Sequence, residues 1–305
     1  MIQELIAADN WDKARELSQD KVFYIIHVMP PGNGMFSNVA HVLEQAVVAE
    51  KLSLLPIVDM YKFKTLYNED FTFNNFKTLY KEDFTLNAYE YYFNQLCDYS
   101  LDHAYNSQLI LGNPKPNCKL MYPPLDVAIE RYKKYFKPKE YILRIVESFR
   151  KDHFDSKKVL GIHWRGGDMK TAPRHHTPPS EHDIINATYN ILNNQHVDKI
   201  FVATEQQRYL DILKKRFGSM LLYTDYYRTY ENINAYWVTP QPRKFHMYKL
   251  GLEIIIDALL LSHVDYLIAG GVDGVANGSN VSLTAQILNG GKYKQVVTIY
   301  NGLNA

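Results

Sequence analysis

The sequence predicts an α/β protein of two domains, each built on a parallel sheet. Three observations support this prediction. In residues 22–59 a strand, a glycine turn, a helix and a second strand follow one another, which is the order of a parallel α/β unit. The same alternation begins again after residue 150. The length of 305 residues is roughly twice that of an average domain.

The first unit begins with a short apolar strand. Residues 22–28 (VFYIIHV) are mostly β-branched or aromatic and end before Pro30-Pro31-Gly32, which predicts a buried strand. The segment after the turn has apolar residues three and four positions apart, as an amphipathic helix does. These residues are Val39, Val42, Leu43, Ala46, Val47 and Ala49. Residues 54–59 (LLPIVD) predict the next strand, so the glycine turn lies at a strand's carboxyl end, where open α/β sheets bind ligands.

A tandem repeat follows the second strand. Residues 63–75 (FKTLYNEDFTFNN) and 76–88 (FKTLYKEDFTLNA) differ only at Asn68/Lys81, Phe73/Leu86 and Asn75/Ala88. A shift of 13 residues turns a helix by roughly 220°, so two separate turns or a hairpin are expected rather than one helix. We interpret the repeat as a tolerated surface insertion, with a loop that contacts an acceptor as the alternative.

The second unit repeats the alternation of strands and helices. Residues 112–124 are rich in Pro, Gly and Asn, residues 125–150 predict a helix broken at Pro138, and we place the domain boundary near residue 150, giving domains 1–150 and 151–305. The expected strands are 159–164, 199–204, 220–223, 266–269 and 295–299, and the expected helices are 183–193, 207–217, 249–262 and 281–288. This order predicts a second parallel α/β domain.

The composition excludes several classes of protein. With 34 Lys+Arg and 33 Asp+Glu, the formal net charge of +1 shows no basic excess of the kind that nucleic-acid-binding proteins carry, so any binding of a polyanion must be local. Cys97 and Cys118 match neither a zinc site nor a disulfide framework, so we expect free thiols. The N-terminal stretch is charged, and no run of about 18 apolar residues occurs. We therefore expect a soluble cytoplasmic protein, at most peripheral to a membrane, without a transmembrane segment.

The stretch from Gly161 to Lys170 (GIHWRGGDMK) is the first candidate for chemistry. Its strand brings His163 and Arg165 to one side of its carboxyl end, and the two glycines let the backbone approach a ligand closely. A guanidinium offers a planar set of donors to a diphosphate and stays charged throughout a reaction. An ion pair between domains is the alternative use of this arginine.

A second strand end carries Thr204 and Glu205, in the stretch KIFVATEQQ. The carboxylate could accept hydrogen bonds from a base or a ribose. Taken alone, however, Thr-Glu more often caps the helix that follows, and that interpretation is favoured here.

A third strand end leads into the loop GGVDGVANGSNVSLTAQ, which opens a helix. Backbone N–H groups at the helix N-terminus, together with the hydroxyls of Ser279 and Ser282, could hold phosphate oxygens. A simple serine N-cap is the alternative. The sequence contains no G-x-x-x-x-G-K-[ST], no H-E-x-x-H and no Asp-x-Asp pair, and the adjacent His175-His176 seldom chelate a metal, so we expect a reaction without a metal.

The motifs GIHWRGGD, FVATEQ and SNVS, in this order and with GLEIIIDALLLSHVDYLIAG before the last, resemble the fucosyltransferase superfamily. The turn GNGMFSNVAHVLEQ also resembles the N-terminal glycine and asparagine turn of that superfamily. The resemblance implies a GT-B architecture, in which two Rossmann-like domains face a central cleft. It also implies that GDP-fucose is held mostly by the C-terminal domain and that a glycan or glycoconjugate is the acceptor.

The resemblance also implies roles for single residues. Arg165 would bind the diphosphate, and His163 and Glu205 would lie near the guanosine. The residues that would close around the phosphates are Ser279, Asn280, Val281 and Ser282, with Gly32 and Asn33 facing them from the other domain. Many members have a second Arg where this chain has Gly166, and a Lys where it has Met169, so the donor could carry another sugar or base.

We therefore predict an inverting glycosyltransferase, in which Arg165 and the helix start at Ser279 stabilise the departing nucleoside diphosphate. Asp168, then Glu181, then His175 or His176 are the candidates for the general base, because all follow Arg165 in a loop that could fold over the cleft. Asp168 could equally cap that loop. Two alternatives remain: the same fold with a UDP-sugar or another nucleotide sugar, and a non-catalytic module that binds a glycan or a nucleotide sugar.

Overall fold

A computed structural model gives the fold of the chain and describes residues 13, 21–28, 33–71, 85–107, 109–113, 123–170, 176–230, 235–271, 275 and 278–303. The chain divides into two compact units, Met1–Lys139 and Glu140–Ala305. Each unit contains a parallel sheet. The predicted α/β class with two parallel sheets is therefore confirmed.

The N-terminal unit is built around strand β1. Its elements are β1 (Phe23–Ile26), α1 (Met35–Lys51), β2 (Leu55–Val58), α2 (Leu101–Tyr105), β3 (Ile110–Gly112) and α3 (Leu125–Tyr135). The sheet has the order β2-β1-β3, with Phe23 in register with Leu55 and with Ile110. Alternate side chains of β1 face opposite sides: Phe23 packs with Ala104 of α2, and the hydroxyl of Tyr24 donates to Gln45 of α1.

The first repeat copy is part of this unit rather than a surface insertion. Thr65, Tyr67 and Phe71 are 8%, 4% and 7% exposed. The predicted surface insertion is thus wrong for these three residues, because their side chains are buried in the unit, whereas Phe63 is 39% exposed. Residues 72–84 lie outside the described residues.

The C-terminal unit carries the larger sheet. Its elements are α4 (Glu140–His153), β4 (Val159–His163), α5 (Glu181–Asn194), β5 (Lys199–Ala203), α6 (Gln207–Phe217), β6 (Leu221–Tyr223), α7 (His246–Leu261), β7 (Tyr266–Gly270), α8 (Asn280–Asn289) and β8 (Gln295–Ile299). The sheet order is β6-β5-β4-β7-β8 and all pairs are parallel. Each predicted strand and helix of this unit is present within a few residues of its expected bounds. The core joins Leu160, Ile162, Ile200, Val202 and Ile268 of the central strands to helices α5 and α6.

Helix α4 belongs to the C-terminal unit, so the division of the chain lies ten residues before the expected boundary near residue 150. The helical conformation is interrupted between α3 and α4, around Pro138. Proline favours this interruption because it has no amide hydrogen to donate within a helix. Ile142 and Val146 of α4 are 0% and 4% exposed, and the helix packs against α7. The ring of Phe149 also lies edge-on to that of Phe201 in β5. These contacts could not be predicted from the pattern of α4 alone.

Candidate functional site

The candidate site lies where strands β4, β5 and β7 end. Because these strands are parallel and adjacent, the residues that follow them share one edge of the sheet. A small concavity lies at this edge. It is lined by His163, Arg165, Met169, His176, Thr177, Pro178, Pro179, Gly270, Gly278 and Ser279. The structure therefore brings together the first and third motifs that the sequence indicated.

Arg165 is the charged side chain that follows β4. Its Nε lies 3.5 Å from Oε1 of Glu205, and the two side chains are 22% and 21% exposed. The same carboxylate oxygen accepts the backbone N–H of Gly166 at 2.8 Å. Glu205 thus holds the turn after β4 and orients the guanidinium while leaving part of it accessible.

Glu205 does not cap helix α6, although capping was the favoured interpretation. The residue before the helix is Gln206, whose side chain makes no capping hydrogen bond. The hydroxyl of Thr204 donates to the carbonyl of Trp164 at 2.7 Å and joins the ends of β4 and β5. Thr204 and Glu205 therefore connect the end of β5 to the end of β4 through hydrogen bonds.

His163 is the last residue of β4 and is 4% exposed. Burial, together with the nearby positive charge of Arg165, lowers the pKa of His163 to about 3. The imidazole is therefore neutral at physiological pH. One ring nitrogen donates a hydrogen bond and the other accepts one, and the ring does not take up a proton as a base near neutral pH.

The N-terminus of α8 forms the opposite wall of the concavity. Ser279 is its N-cap, and its hydroxyl accepts the N–H of Val281 at 3.3 Å. Ser282 is fully buried and its hydroxyl donates to the carbonyl of Ser279 at 3.0 Å. The first N–H groups of a helix carry partial positive charge and attract anions. Asn280 is partly exposed and Val281 is buried, so Val281 can face a ligand only through its backbone.

Gly278 brings this helix close to the end of β7. Its N–H donates to the carbonyl of Gly270 at 3.0 Å. A Cβ at position 278 would lie 2.7 Å from the carbonyl carbon of Gly270, so a side chain cannot be placed there without moving backbone. The glycine therefore fixes the distance between β7 and the start of α8.

Gly166 lacks room for a side chain. A Cβ there would lie 2.6 Å from Cγ of Gln206 and 2.9 Å from Cε2 of Tyr209. Tyr209 is itself stacked on Trp164, with ring centroids 3.8 Å apart. A second arginine directly after Arg165 would therefore not fit at position 166 without movement of Gln206 and Tyr209.

Lys170 places a further cation near Glu205. Its ammonium lies 4.9 Å from the ring centroid of Tyr209. Burial and the positive charge of Arg208 lower the pKa of Lys170, while Glu205 acts in the opposite direction. Glu205 therefore has two positive side chains near it, those of Arg165 and Lys170.

Other predicted residues lie outside the concavity or outside the described part of the chain. Glu181 is the exposed first residue of α5, whose N-terminus is held by the capping box of Ser180 and Asp183. Asn33 is exposed in the N-terminal unit. The backbone of Asp168 lies in the short helix Gly167–Lys170, but its side chain is not among those described. Gly32 and His175 fall outside the described residues.

Arg228 is a buried cation at this edge that the sequence analysis missed. Its Nε donates to the carbonyl of Thr204 at 3.0 Å and its Nη2 to that of Thr224 at 2.8 Å. The guanidinium thus joins the ends of β5 and β6. No motif marked it, because its partners are backbone carbonyl groups, which residues of every type carry.

The fold of the chain is similar to that of solved fucosyltransferases. The α1,6-fucosyltransferase NodZ soaked with GDP-fucose has a TM-score of 0.53 at 13% identity, over 92% of this chain and 95% of that chain. NodZ co-crystallised with GDP has a TM-score of 0.53 at 12% identity, with the same coverage. NodZ from Bradyrhizobium has a TM-score of 0.52 at 12% identity, over 93% of this chain and all (100%) of the other. At such identity the similarity shows the fold, and it confirms the predicted GT-B class.

No protein-family model matches the chain, and no curated protein matches its sequence. Within the described ranges, no helix combines the length and apolar character needed to cross a membrane. Among the same residues, no group of three or more His, Cys, Asp or Glu side chains is placed to hold a metal ion.

Proposed function

We propose that this chain is an inverting, metal-independent glycosyltransferase that transfers fucose from GDP-fucose to a hydroxyl group of a glycan acceptor. One observation carries the proposal: Arg165 and the N-terminus of α8 meet at one concavity at the carboxyl edge of the C-terminal sheet. The fold supports it, because the NodZ structures that share this fold were soaked with GDP-fucose or co-crystallised with GDP.

In the proposed reaction, the acceptor oxygen forms a bond to the anomeric carbon of fucose as the bond from that carbon to the phosphate oxygen breaks. GDP leaves with the electron pair, and the acceptor proton passes to a base. Negative charge grows on the leaving phosphate. The guanidinium of Arg165 and the first N–H groups of α8 stabilise that charge, which removes the need for a metal.

The remaining donor contacts are proposals that rest on the resemblance of the sequence motifs. We propose that neutral His163 and the carboxylate of Glu205 lie near the guanosine, and that Ser279, Asn280 and the backbone of Val281 surround the phosphates. The buried Ser282, whose hydroxyl donates to the carbonyl of Ser279, would support this helix start from beneath. Gly32 and Asn33 of the N-terminal unit stay proposed partners of the donor. A cytoplasmic location likewise stays a prediction.

Asp168 is our proposed general base. It lies in the short helix that contains Met169, a residue that lines the concavity. Glu181 is a weaker candidate because it is exposed at the start of α5. His176 lines the concavity and stays an alternative.

The experiment is a thermal-shift series with GDP, UDP, CDP and ADP, with and without magnesium. It compares the wild type with Arg165→Ala and with Arg216→Ala, which removes an exposed arginine near the end of α6. We expect stabilisation by GDP alone, independent of magnesium, lost in R165A and kept in R216A. An assay of GDP release from GDP-fucose with pooled glycan acceptors then compares Asp168→Asn with Glu181→Gln, and D168N should lose transfer.

The outcomes separate the alternatives. Stabilisation by UDP would keep the fold and change the donor. Stabilisation by GDP, with no release of GDP above the hydrolysis background for any acceptor, would favour a non-catalytic binding module. Stabilisation by no nucleotide, or an equal response of R165A and the wild type, would contradict the proposed site.

A further inference from the structure

A long connection joins strand β6 to helix α7 at the carboxyl edge of the C-terminal sheet. Since β6 and β7 run in the same direction, α7 must begin at the edge where β6 ends, which is the edge of the candidate concavity. Connections longer than about 15 residues inside a compact domain are usually either disordered or functional. We call its two described stretches, residues 224–230 and 235–245, the edge loop.

The first stretch of the edge loop is bound to the end of β5. The N–H of Thr229 donates to the carbonyl of Glu205 at 2.9 Å, and the N–H of Gln207 donates to the carbonyl of Thr229 at 2.8 Å. The side-chain nitrogen of Gln206 donates to the hydroxyl of Thr229 at 3.1 Å. Together with the bonds of Arg228 described above, these contacts fix the stretch beside the candidate site.

The second stretch is held by a chain of hydrogen bonds that starts on α7. The carboxylate of Glu253 accepts two bonds from the guanidinium of Arg243, and the two side chains are 13% and 23% exposed. The Nε–H of Arg243 donates to Nδ1 of His246 at 3.2 Å. Since Nδ1 accepts, Nε2 carries the proton of this buried ring, and it donates to the carbonyl of Ala235 at 2.8 Å.

This chain of hydrogen bonds ends on a short helix that presents an exposed indole. The helix, Ala235–Trp237, begins with a buried alanine and ends with Trp237, whose side chain is 60% exposed. The ring of Tyr236 lies 5.5 Å from that of Trp237. Among the Phe, Tyr and Trp side chains of the described residues, only Tyr230 of the same loop is more exposed. Folded proteins usually bury most of a tryptophan, whereas here a largely buried network holds one at the surface.

We propose that Trp237 is an acceptor-binding residue whose indole stacks on a sugar ring of the glycan. A pyranose ring suits this surface, because one of its faces carries C–H groups that pack on an aromatic ring while its hydroxyls stay in contact with water or polar groups. The indole Nε1–H can donate to one of those hydroxyls. Because the short helix is fixed before the sugar arrives, binding costs less entropy. The inference rests on the proposed function, which makes the glycan an acceptor.

The position of Trp237 favours the acceptor over the donor. The groups proposed for the donor in this unit follow strands β4, β5 and β7, whereas Trp237 follows β6 and its helix packs against α7. Neighbouring strands are about 4.8 Å apart, so β6 lies about 10 Å from β4, which carries Arg165 at its end. An acceptor of more than one sugar can span such a distance, with one sugar at the anomeric carbon and another on Trp237.

The experiment measures glycan binding and GDP binding separately. Wild type and Trp237→Ala are applied to a printed array of defined oligosaccharides, with and without GDP, and the Kd of the tightest-bound oligosaccharide is then measured by titration. We expect W237A to bind it about tenfold more weakly or worse, because an aromatic anchor is lost, while the Kd for GDP stays unchanged. Trp237→Phe should keep most of the affinity and Trp237→Leu should not, since leucine has no flat face.

Tyr189→Ala is the matched control. It removes a 42% exposed ring from the half of α5 that leads to the amino edge of the sheet, so both Kd values should stay at the wild-type level. Circular dichroism melting checks the fold of each variant. We expect W237A to melt close to the wild type, because the indole is largely exposed.

Three results would overturn the inference. One is equal affinity of W237A and the wild type for the oligosaccharide. Another is weaker GDP binding by W237A, which would make Trp237 a contact of the donor. The third is binding of no oligosaccharide by the wild type, with or without GDP. None of them requires turnover, whereas failure of the proposed function shows itself in the nucleotide series, as an equal response of R165A and the wild type.

Discussion

Gly166 determines, at the scale of one residue, how closely the turn after β4 packs on helix α6. We expect Gly166→Ala to destabilise the C-terminal unit by about 1–3 kcal/mol, because Gln206 and Tyr209 must move to admit the methyl group. The same displacement should weaken GDP binding, because Arg165 precedes the glycine. Urea unfolding and GDP titration measure the two effects.

Gly34→Ala is the control for this substitution. A Cβ at position 34 has no atom within 4 Å, and the residue has φ of −64°, which alanine adopts without strain. We expect a change within about 1 kcal/mol. A G166A protein as stable as G34A, with unchanged affinity for GDP, would show that the packing around Gly166 is loose.

The sequence was sufficient to place Arg165 and Ser279 at one edge of the sheet, because each follows a recognisable strand. It could not reveal that Glu205 accepts the N–H of Gly166, since 39 residues separate the two. Arg228 was missed because its hydrogen bonds go to backbone carbonyls, which residues of every type carry. Long-range pairing of polar groups has no local signal in one sequence.

At the scale of elements, strongly periodic segments were predictable and short ones were not. Helix α7 and strands β4 and β5 lie within a few residues of their expected bounds. Strand β3 has only three residues, Ile110–Gly112, and pairs at the edge of its sheet. The sequence does not predict this strand, because three residues carry no measurable period and its last residue, Gly112, begins the Pro/Gly-rich stretch 112–124.

The contact between β6 and α7 gives a prediction about pH. Asp257 of α7 accepts the hydroxyl of Thr224 at 3.0 Å. Burial raises the pKa of Asp257 to about 7, against the opposing effect of Arg228. The folded state therefore keeps a proton that the unfolded chain releases near pH 4. The stability from this group is complete below about pH 4 and is lost as the pH rises through about 7.

We therefore expect the free energy of unfolding of the wild type to fall by about 2 to 3 kcal/mol between pH 5 and pH 8 through this group. Asp257→Asn should flatten that slope, because an amide does not titrate. Asp211→Asn, an exposed substitution on α6, should leave it unchanged. Equal slopes for D257N and the wild type would mean that Asp257 titrates near its ordinary pKa.

At the scale of the whole molecule, the division of the chain decides which helix completes the C-terminal core. Residues 140–305 contain the entire five-stranded sheet and both walls of the candidate concavity. Helix α4 contributes Ile142, Val146 and Phe149 to that unit, and the hydroxyls of Tyr141 and Tyr248 lie 3.4 Å apart. A unit that began at residue 151 would lack the apolar side chains of α4, and the residues that pack against them would be exposed to water.

We expect a fragment of residues 140–305 to fold and to bind GDP, because all the residues that line the concavity belong to it. Its Kd for GDP should lie within about tenfold of that of the full chain, which corresponds to a loss of at most about 1.4 kcal/mol of binding free energy. A fragment of residues 151–305 should melt at a lower temperature or fail to fold, because it leaves the surface beneath α4 exposed to water. Circular dichroism melting and GDP titration of the two fragments measure these differences.

Equal melting temperatures of the two fragments would place the domain boundary near residue 150 and would show that α4 is not needed for folding of the C-terminal unit. GDP binding by the full chain but not by a folded 140–305 fragment would instead show that the N-terminal unit contributes to donor binding, as proposed for Gly32 and Asn33.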